Sequence, residues 1–247
     1  MTFTMARKKT MSTTLVAVLA VGAASLCVSN ACAQTTTPPK PVRVRAKMDG
    51  FDLTPKGTAA RATQVGGASR SIGGLTLYAP TMGKAYSLTP TFYWSTDDPQ
   101  AEFTFRITQP SSGSGDPIYE TKVVGGHFIY PADAPALAPG GTYVWTVSPT
   151  LDMLGKPASA SFLIVGGNER ETVAAALATA QTATDPAAAT AKVFTDMRLW
   201  FDALAAYSAL IDKFPTRAEF YQARADLYDQ LPSTAALADA DAAKAHK

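Results

Sequence analysis

The sequence predicts an α+β protein in which an antiparallel β-sandwich is followed by a helical hairpin. Two observations carry this prediction. Between residues 73 and 167, β-branched and aromatic residues alternate with polar ones, and Gly or Pro recurs about every ten residues. From residue 168 to residue 247, apolar residues recur at helical spacing instead. The 247-residue chain is 47% apolar and 17% charged, which is sufficient for a sizeable core.

Residues 1–33 have the features of a secretory signal peptide. Arg7, Lys8 and Lys9 form a basic start, residues 15–26 are mostly apolar, and Ala31 and Ala33 fit the small-x-small cleavage rule. The alternative is a membrane anchor, but a span needs about twenty apolar residues. We therefore expect cleavage before Gln34, export to the periplasm or the medium, and no membrane span.

The two cysteines of the chain, Cys27 and Cys32, both lie in this predicted signal. After cleavage no thiol would remain for a disulfide, a metal site or a nucleophile. Lipidation at Cys32 is the alternative. A lipobox would have a Leu-like residue where the chain has Ser29.

Residues 34–72 are predicted to be a flexible, basic linker. Residues 35–41 are Thr and Pro apart from one Lys and favour an extended conformation, while residues 57–74 are rich in Gly, Ala, Ser and Thr. We expect a solvated tether; contact with an anionic surface polymer is the alternative.

Short strands are predicted throughout residues 73–167. Phe103, Phe105 and Ile107 share one face of a strand because their spacing is two, and Trp145 lies in a second such row. The predicted strands cover residues 75–78, 91–94, 103–107, 118–124, 127–130, 143–147 and 161–165.

A local pattern specifies the type of sandwich. Leu137, Pro139 and Tyr143 have the spacing of a tyrosine corner, in which the Tyr hydroxyl hydrogen-bonds backbone a few residues upstream. Trp94 is expected at the centre of the core. The region resembles a fibronectin type III or immunoglobulin-like domain.

Four helices are predicted over residues 168–247. The second covers residues 187–214 and the third residues 218–231, with Thr184-Asp185-Pro186 as a break and cap before the second. The spacing of aromatic, alanine and proline residues along the second and third helices resembles a tetratricopeptide repeat. Because three repeats are usually needed for an array, we expect one hairpin docked on the sandwich. The pattern consists of Trp200, Ala203, Tyr207, Pro215, Tyr221, Ala225 and Tyr228.

The order of these parts resembles a bacterial exported family catalogued as domain of unknown function 928. The resemblance covers roughly residues 57–231 and rests on the stretches 64–70, 90–94, 139–145 and 199–204. It implies an exported protein with a β domain and a helical tail. Because the family has no assigned activity, it implies no catalytic residue.

Few residues suggest catalysis. His127 at a strand edge and His246 near the terminus are the only histidines, and Asp97-Asp98 before Pro99 fits a turn better than a calcium site. No glycine pair has the order that binds phosphate. We predict no catalytic residue, no cofactor and no metal ligand.

The predicted function is a non-enzymatic protein-interaction module of the cell envelope. A carbohydrate-binding module and a carboxylate-based hydrolase are the alternatives. Nucleic acid is not expected as a partner, because residues 71–247 contain twelve basic and eighteen acidic residues. The candidate binding residues are the polar side chains of the hairpin, Arg217, Glu219, Arg224 and Asp226.

Overall fold

The computed structural model describes residue 51 and residues 75–110, 116–150 and 157–246. The predicted signal peptide lies outside these residues, as does the predicted linker apart from Phe51. The glycine-rich stretch 64–70 also lies outside them. Within the described part, strands come first and helices follow, so the α+β class is confirmed.

Two sheets form the first half of the described chain. Their strands are β1 (Thr76–Leu77), β2 (Met82–Ala85), β3 (Thr91–Ser95), β4 (Glu102–Thr108), β5 (Pro117–Val124), β6 (His127–Ile129), β7 (Thr142–Pro149) and β8 (Ala158–Ile164). One sheet has three strands in the order β1-β3-β6, and the other has five in the order β2-β8-β7-β4-β5.

One aromatic core joins the two sheets. The Phe92 ring from β3 lies with its centroid 5.1 Å from that of Phe105 on β4 and 4.9 Å from that of Trp145 on β7. The predicted inward rows on β4 and β7 are buried, and Trp94 is 2% exposed. The period-two prediction of the core is therefore confirmed, because alternate side chains of a strand share a face.

Strand β2 was not predicted, and it changes the sheet. It pairs with β8 in parallel, with Met82 opposite Ser161 and Ala85 opposite Ile164. The other strand pairs described are antiparallel. The sequence Met-Gly-Lys-Ala has no β-branched or aromatic residue, so strand propensity did not indicate it. The expectation of a wholly antiparallel arrangement is wrong at this edge.

The hydrogen bond predicted for the tyrosine corner is present. The backbone N–H of Ala138 donates to the Tyr143 hydroxyl oxygen at 2.8 Å, and the Tyr143 side chain is 2% exposed. The bond fixes the chain just before β7.

Five α-helices follow β8. The segment predicted to be the second helix forms two separate helices. Arg198 has φ of +59°, a left-handed conformation that separates the helix Pro186–Asp196 from the helix Trp200–Lys213. Leu199, which follows the break, is apolar and buried, so the apolar spacing of the sequence gives no sign that the helix ends here. The helices are α1 (Gly167–Ala180), α2 (Pro186–Asp196), α3 (Trp200–Lys213), α4 (Ala218–Tyr228) and α5 (Ala235–Ala245).

The start of α2 agrees with its predicted cap. The Asp185 carboxylate accepts a hydrogen bond from the Ala188 N–H at 3.1 Å, and Pro186 occupies the first turn. None of the helices in the described ranges is long and apolar enough to cross a bilayer.

Candidate functional site at the junction of sheets and helices

The first turn of α3 fixes the helices to the sheets. The indole N–H of Trp200 donates to the carbonyl oxygen of Tyr78 at 2.8 Å. Phe51 packs edge-on against the Trp200 ring with centroids 5.1 Å apart, and it is only 4% exposed. Phe51 falls within the predicted flexible linker, and linker composition gave no indication of this buried contact.

Phe201, the next residue, enters the aromatic core. Its ring centroid lies 5.5 Å from the centroids of both Phe92 and Phe162. A Cβ placed on Gly83 would lie 2.8 Å from Phe201 Cε2, closer than real side chains approach. Strand β2 can therefore pass this ring only with glycine at position 83.

Asp202 completes the junction as a buried carboxylate. Its two oxygens accept hydrogen bonds from the backbone N–H groups of Tyr86 at 2.6 Å and Ser87 at 2.8 Å. The residue is 7% exposed, and this burial raises its pKa to about 6 although the two N–H groups act in the opposite direction. Asp202 therefore holds the turn after β2 against α3.

Arg170 on α1 supports the same turn. Its guanidinium donates to the Tyr86 carbonyl oxygen at 2.7 Å and lies 4.2 Å from the centroid of the Tyr86 ring. On β2, Lys84 pairs with Glu169. The turn after β2 is thus held by side chains from two helices, Arg170 of α1 and Asp202 of α3.

A cleft of about 380 Å³ opens beside Asp202. One side carries the hydroxyl groups of the turn and of β3, and the other carries small and aromatic side chains of α2 and α3. The Thr89 N–H donates to Ser87 Oγ at 3.0 Å, which orders the hydroxyl side. The lining residues are Ser87, Thr89, Pro90, Thr91, Phe194, Phe201, Asp202, Ala205 and Ala206.

The predicted binding residues of the hairpin differ in their exposure and in their partners. Arg217 lies before α4 and pairs with Asp185 at 3.0 Å and with Glu219, and its side chain is 42% exposed. Asp226 is exposed and accepts from Gln222 Nε2 at 2.7 Å. Their role in binding remains a prediction.

Arg224 has a different environment. It forms a two-pronged pair with Asp241 on α5, with N–O distances of 2.7 and 3.0 Å, and donates to Ser208 Oγ at 3.1 Å. Its side chain is 17% exposed and that of Asp241 is 6% exposed. This geometry ties α5 to α4 and α3, and leaves little of Arg224 for a ligand.

The other polar residues considered from sequence lie apart from the cleft lining. His127 is exposed, and its ring stacks on that of Tyr93 with centroids 6.1 Å apart. Asp98 accepts from the Gln100 N–H at 2.8 Å, as expected for a turn. His246 is exposed. In the ranges the structure describes, no three His, Cys, Asp or Glu residues are grouped to hold a metal ion.

Sequence reasoning did not single out Asp202 as an individual residue. The available signal was a lone acid within the apolar stripe that begins at Trp200, inside the stretch 199–204 that carried the family resemblance. A carboxylate at such a position is buried, and a buried carboxylate needs donors. Its donors come from a turn 115 residues earlier, which periodicity does not reveal.

Comparison with known proteins gives a family. No curated protein matches the chain. The family model described as Domain of Unknown Function (DUF928) matches residues 56–239, which include the described strands and nearly all of the helices. The chain therefore belongs to the DUF928 family.

Proposed function

We propose that the protein is a non-enzymatic binding module of the cell envelope, and that the cleft beside Asp202 holds an extended segment of a partner protein. The observation that carries the proposal is that both Asp202 oxygens are engaged by backbone N–H groups. Each oxygen therefore already accepts one hydrogen bond, and the carboxylate holds the turn that forms one wall of the cleft.

The lining supports binding over hydrolysis. Asp202 is the only carboxylate among the residues that line this cleft. Glycoside hydrolysis by carboxylates uses a pair on either side of the bond that breaks. A single carboxylate that accepts two backbone hydrogen bonds does not provide such a pair.

The two walls of the cleft favour a peptide. Hydroxyl groups at Ser87, Thr89 and Thr91 can hydrogen-bond peptide backbone, while Phe194 and Ala206 offer an apolar wall to a side chain. The hairpin residues Arg217 and Glu219 pair with each other, and Arg224 is mostly buried. For these reasons we place the partner in the cleft and not on the hairpin.

Export is part of the proposal. It rests on the basic start, the short apolar run and the Ala31-x-Ala33 site within residues 1–33. A soluble periplasmic or secreted protein that begins at Gln34 is expected, and a lipid anchor at Cys32 is the alternative. N-terminal sequencing of the protein from a producing cell separates the two.

The finer fold also belongs to this proposal. We infer an immunoglobulin- or fibronectin III-like sandwich from the strand order of the two sheets and from the Tyr143 hydrogen bond. We infer a tetratricopeptide-like hairpin from α3 and α4, in which the small residues Ala203 and Ala225 are fully buried.

A photo-crosslinking residue tests the cleft. Placed at Ala206, it should form an adduct with one discrete envelope protein, whereas the same residue at Glu219 should not. Adducts only at position 219 would move the binding surface to the hairpin. Loss of a hydrolytic activity of the purified protein in Asp202→Asn, with the fold intact, would refute the non-enzymatic proposal.

Glycan binding is the second candidate, and one observation favours it. The rings of Tyr93 and His127 are within 23° of parallel, and His127 is exposed. Sugars stack on such faces, although here the two rings cover each other. If His127→Ala weakens retention on envelope polysaccharide while Ala206→Trp does not, the glycan candidate replaces the peptide.

A further inference from the structure

Strand β5 ends the five-stranded sheet and leaves one backbone edge without a strand among the described residues. It runs for eight residues, Pro117–Val124, and pairs with β4. An exposed edge strand of this length is a template for a further strand. At its end, Val124 is 56% exposed, one of three large apolar side chains exposed in the described part.

The sequence of β5 is complementary to itself when read in the opposite direction. Across a two-fold axis at Thr121, two antiparallel copies would place apolar residues opposite apolar residues and opposite charges opposite each other. This register also keeps each face of the sheet continuous, because facing residues have the same parity. The facing pairs are Ile118 with Val124, Tyr119 with Val123, Glu120 with Lys122, and Thr121 with itself.

The charges already present on β4 extend this complementarity. Within one copy, Arg106 lies opposite Glu120 and pairs with it, and Lys122 pairs with Glu102 at 2.9 Å. Lys122 of a second copy would lie on the other side of Glu120. The row would then alternate in sign across the two-fold axis, and Glu120 would have a cation on either side, Arg106 of its own copy and Lys122 of the second.

We propose that β5 is a homodimer interface, in which a second copy of the chain adds its β5 antiparallel at Thr121 and joins two five-stranded sheets into one of ten strands. The interface is isologous, as a two-fold axis requires. Main-chain hydrogen bonds supply part of the affinity, and the Glu120–Lys122 pairs, together with cover for Val124, fix the register. A single strand pair buries little area, so the dissociation constant should be on the order of micromolar.

Complementary charge variants test the interface, because mixing them restores opposite charges across the two-fold axis while each variant keeps its own internal change. Glu120→Lys places two cations opposite each other at both positions of its own dimer, and Lys122→Glu places two anions there. Each variant alone should dimerise at least about tenfold more weakly than wild type in sedimentation velocity. An equimolar mixture restores both opposite-charge pairs and should form the heterodimer at close to wild-type affinity.

A disulfide tests the register. Facing residues of an antiparallel pair have Cα atoms about 4.5–5.5 Å apart, within disulfide range. Thr121→Cys should therefore cross-link two copies on mild oxidation, whereas Lys122→Cys, which would face Glu120, should not. Wild type controls for Cys27 and Cys32. A wild-type protein that stays monomeric at about 100 µM, far above the expected constant, would overturn the proposal, as would equal dimerisation of both charge variants.

Discussion

The indole N–H of Trp200 donates to the carbonyl oxygen of Tyr78 at 2.8 Å and joins the first turn of α3 to the chain after β1. The indole of Trp94, equally buried, has no hydrogen-bond partner for Nε1 in the described structure. The two tryptophans therefore differ in what their N–H group contributes.

Phenylalanine substitutions separate these two contributions. Trp200→Phe and Trp94→Phe remove similar volumes, but only the first leaves a carbonyl oxygen without its donor. We expect Trp200→Phe to lower the free energy of unfolding by about 1–3 kcal/mol more than Trp94→Phe does. Urea titration of both variants measures the difference. Equal losses would show that the bond to Tyr78 contributes nothing to docking.

Asp202 predicts a pH dependence with a defined sign. Burial raises its folded-state pKa from 3.8 to about 6, so the folded state holds the proton more tightly than the unfolded state. Stability from this group is complete below about pH 4 and is lost as the pH rises through 6. Relative to Asp202→Asn, the wild type should lose about 2–3 kcal/mol between pH 4 and pH 7.

The comparison with Asp202→Asn cancels other titrating groups, which both proteins share. Urea unfolding at a series of pH values gives the difference directly. A difference that is flat between pH 4 and pH 7 would mean that the two N–H donors of Tyr86 and Ser87 fully offset the cost of burying the charge.

Arg224 on α4 and Arg217 just before it should contribute very differently to the free energy of unfolding. Arg224→Ala leaves the Asp241 carboxylate buried and unpaired, at a cost of about 3–5 kcal/mol. Arg217→Ala removes a pair that is about 40% exposed on both sides and is screened by solvent, so its loss should be much smaller than that of Arg224→Ala. Thermal unfolding compares the two. If both variants lose little stability, the Arg224–Asp241 pair does not hold the helices together, and Arg224 is again a candidate binding residue.

Tyr143→Phe tests the tyrosine corner. The hydroxyl accepts the Ala138 N–H at 2.8 Å and its removal leaves that donor to solvent, so we expect a loss of about 1–2 kcal/mol with the core unchanged. Tyr130→Phe is the comparison on the other sheet, since the Tyr130 hydroxyl donates to the Pro135 carbonyl oxygen at 2.6 Å. If both variants have the melting temperature of the wild type, these two hydrogen bonds do not stabilise the segment between β6 and β7.

The core rows were predictable because each depends on one strand. Phe103, Phe105 and Ile107 are buried as their spacing requires, and the Asp185-Pro186 cap starts α2 as predicted. Strand β2 was missed because partners, not its own residues, make it a strand. The break at Arg198 was missed because periodicity measures apolar spacing and is insensitive to one backbone angle.

The candidate site was less predictable for a related reason. The hairpin charges were predicted to lie on the surface because the apolar stripe does not include them, but Arg224 pairs with Asp241, which lies on another helix. Asp202 and Phe51 have partners far along the chain or inside a segment whose composition indicates no packing. Pairings of this kind require the folded arrangement.

The junction at Asp202 also has a kinetic meaning. The hydrogen-bond partner of the Ser87 N–H lies 115 residues later in the sequence, and that of the Tyr78 carbonyl lies 122 residues later. Closing such distant contacts is slow, and each is unavailable until the ribosome has made most of the chain. The N-terminal strands therefore emerge without their anchors and should remain open for much of synthesis. The export proposed above would gain from this delay, since passage through a membrane pore requires an unfolded chain and the contacts that complete the fold come from the last third of the sequence.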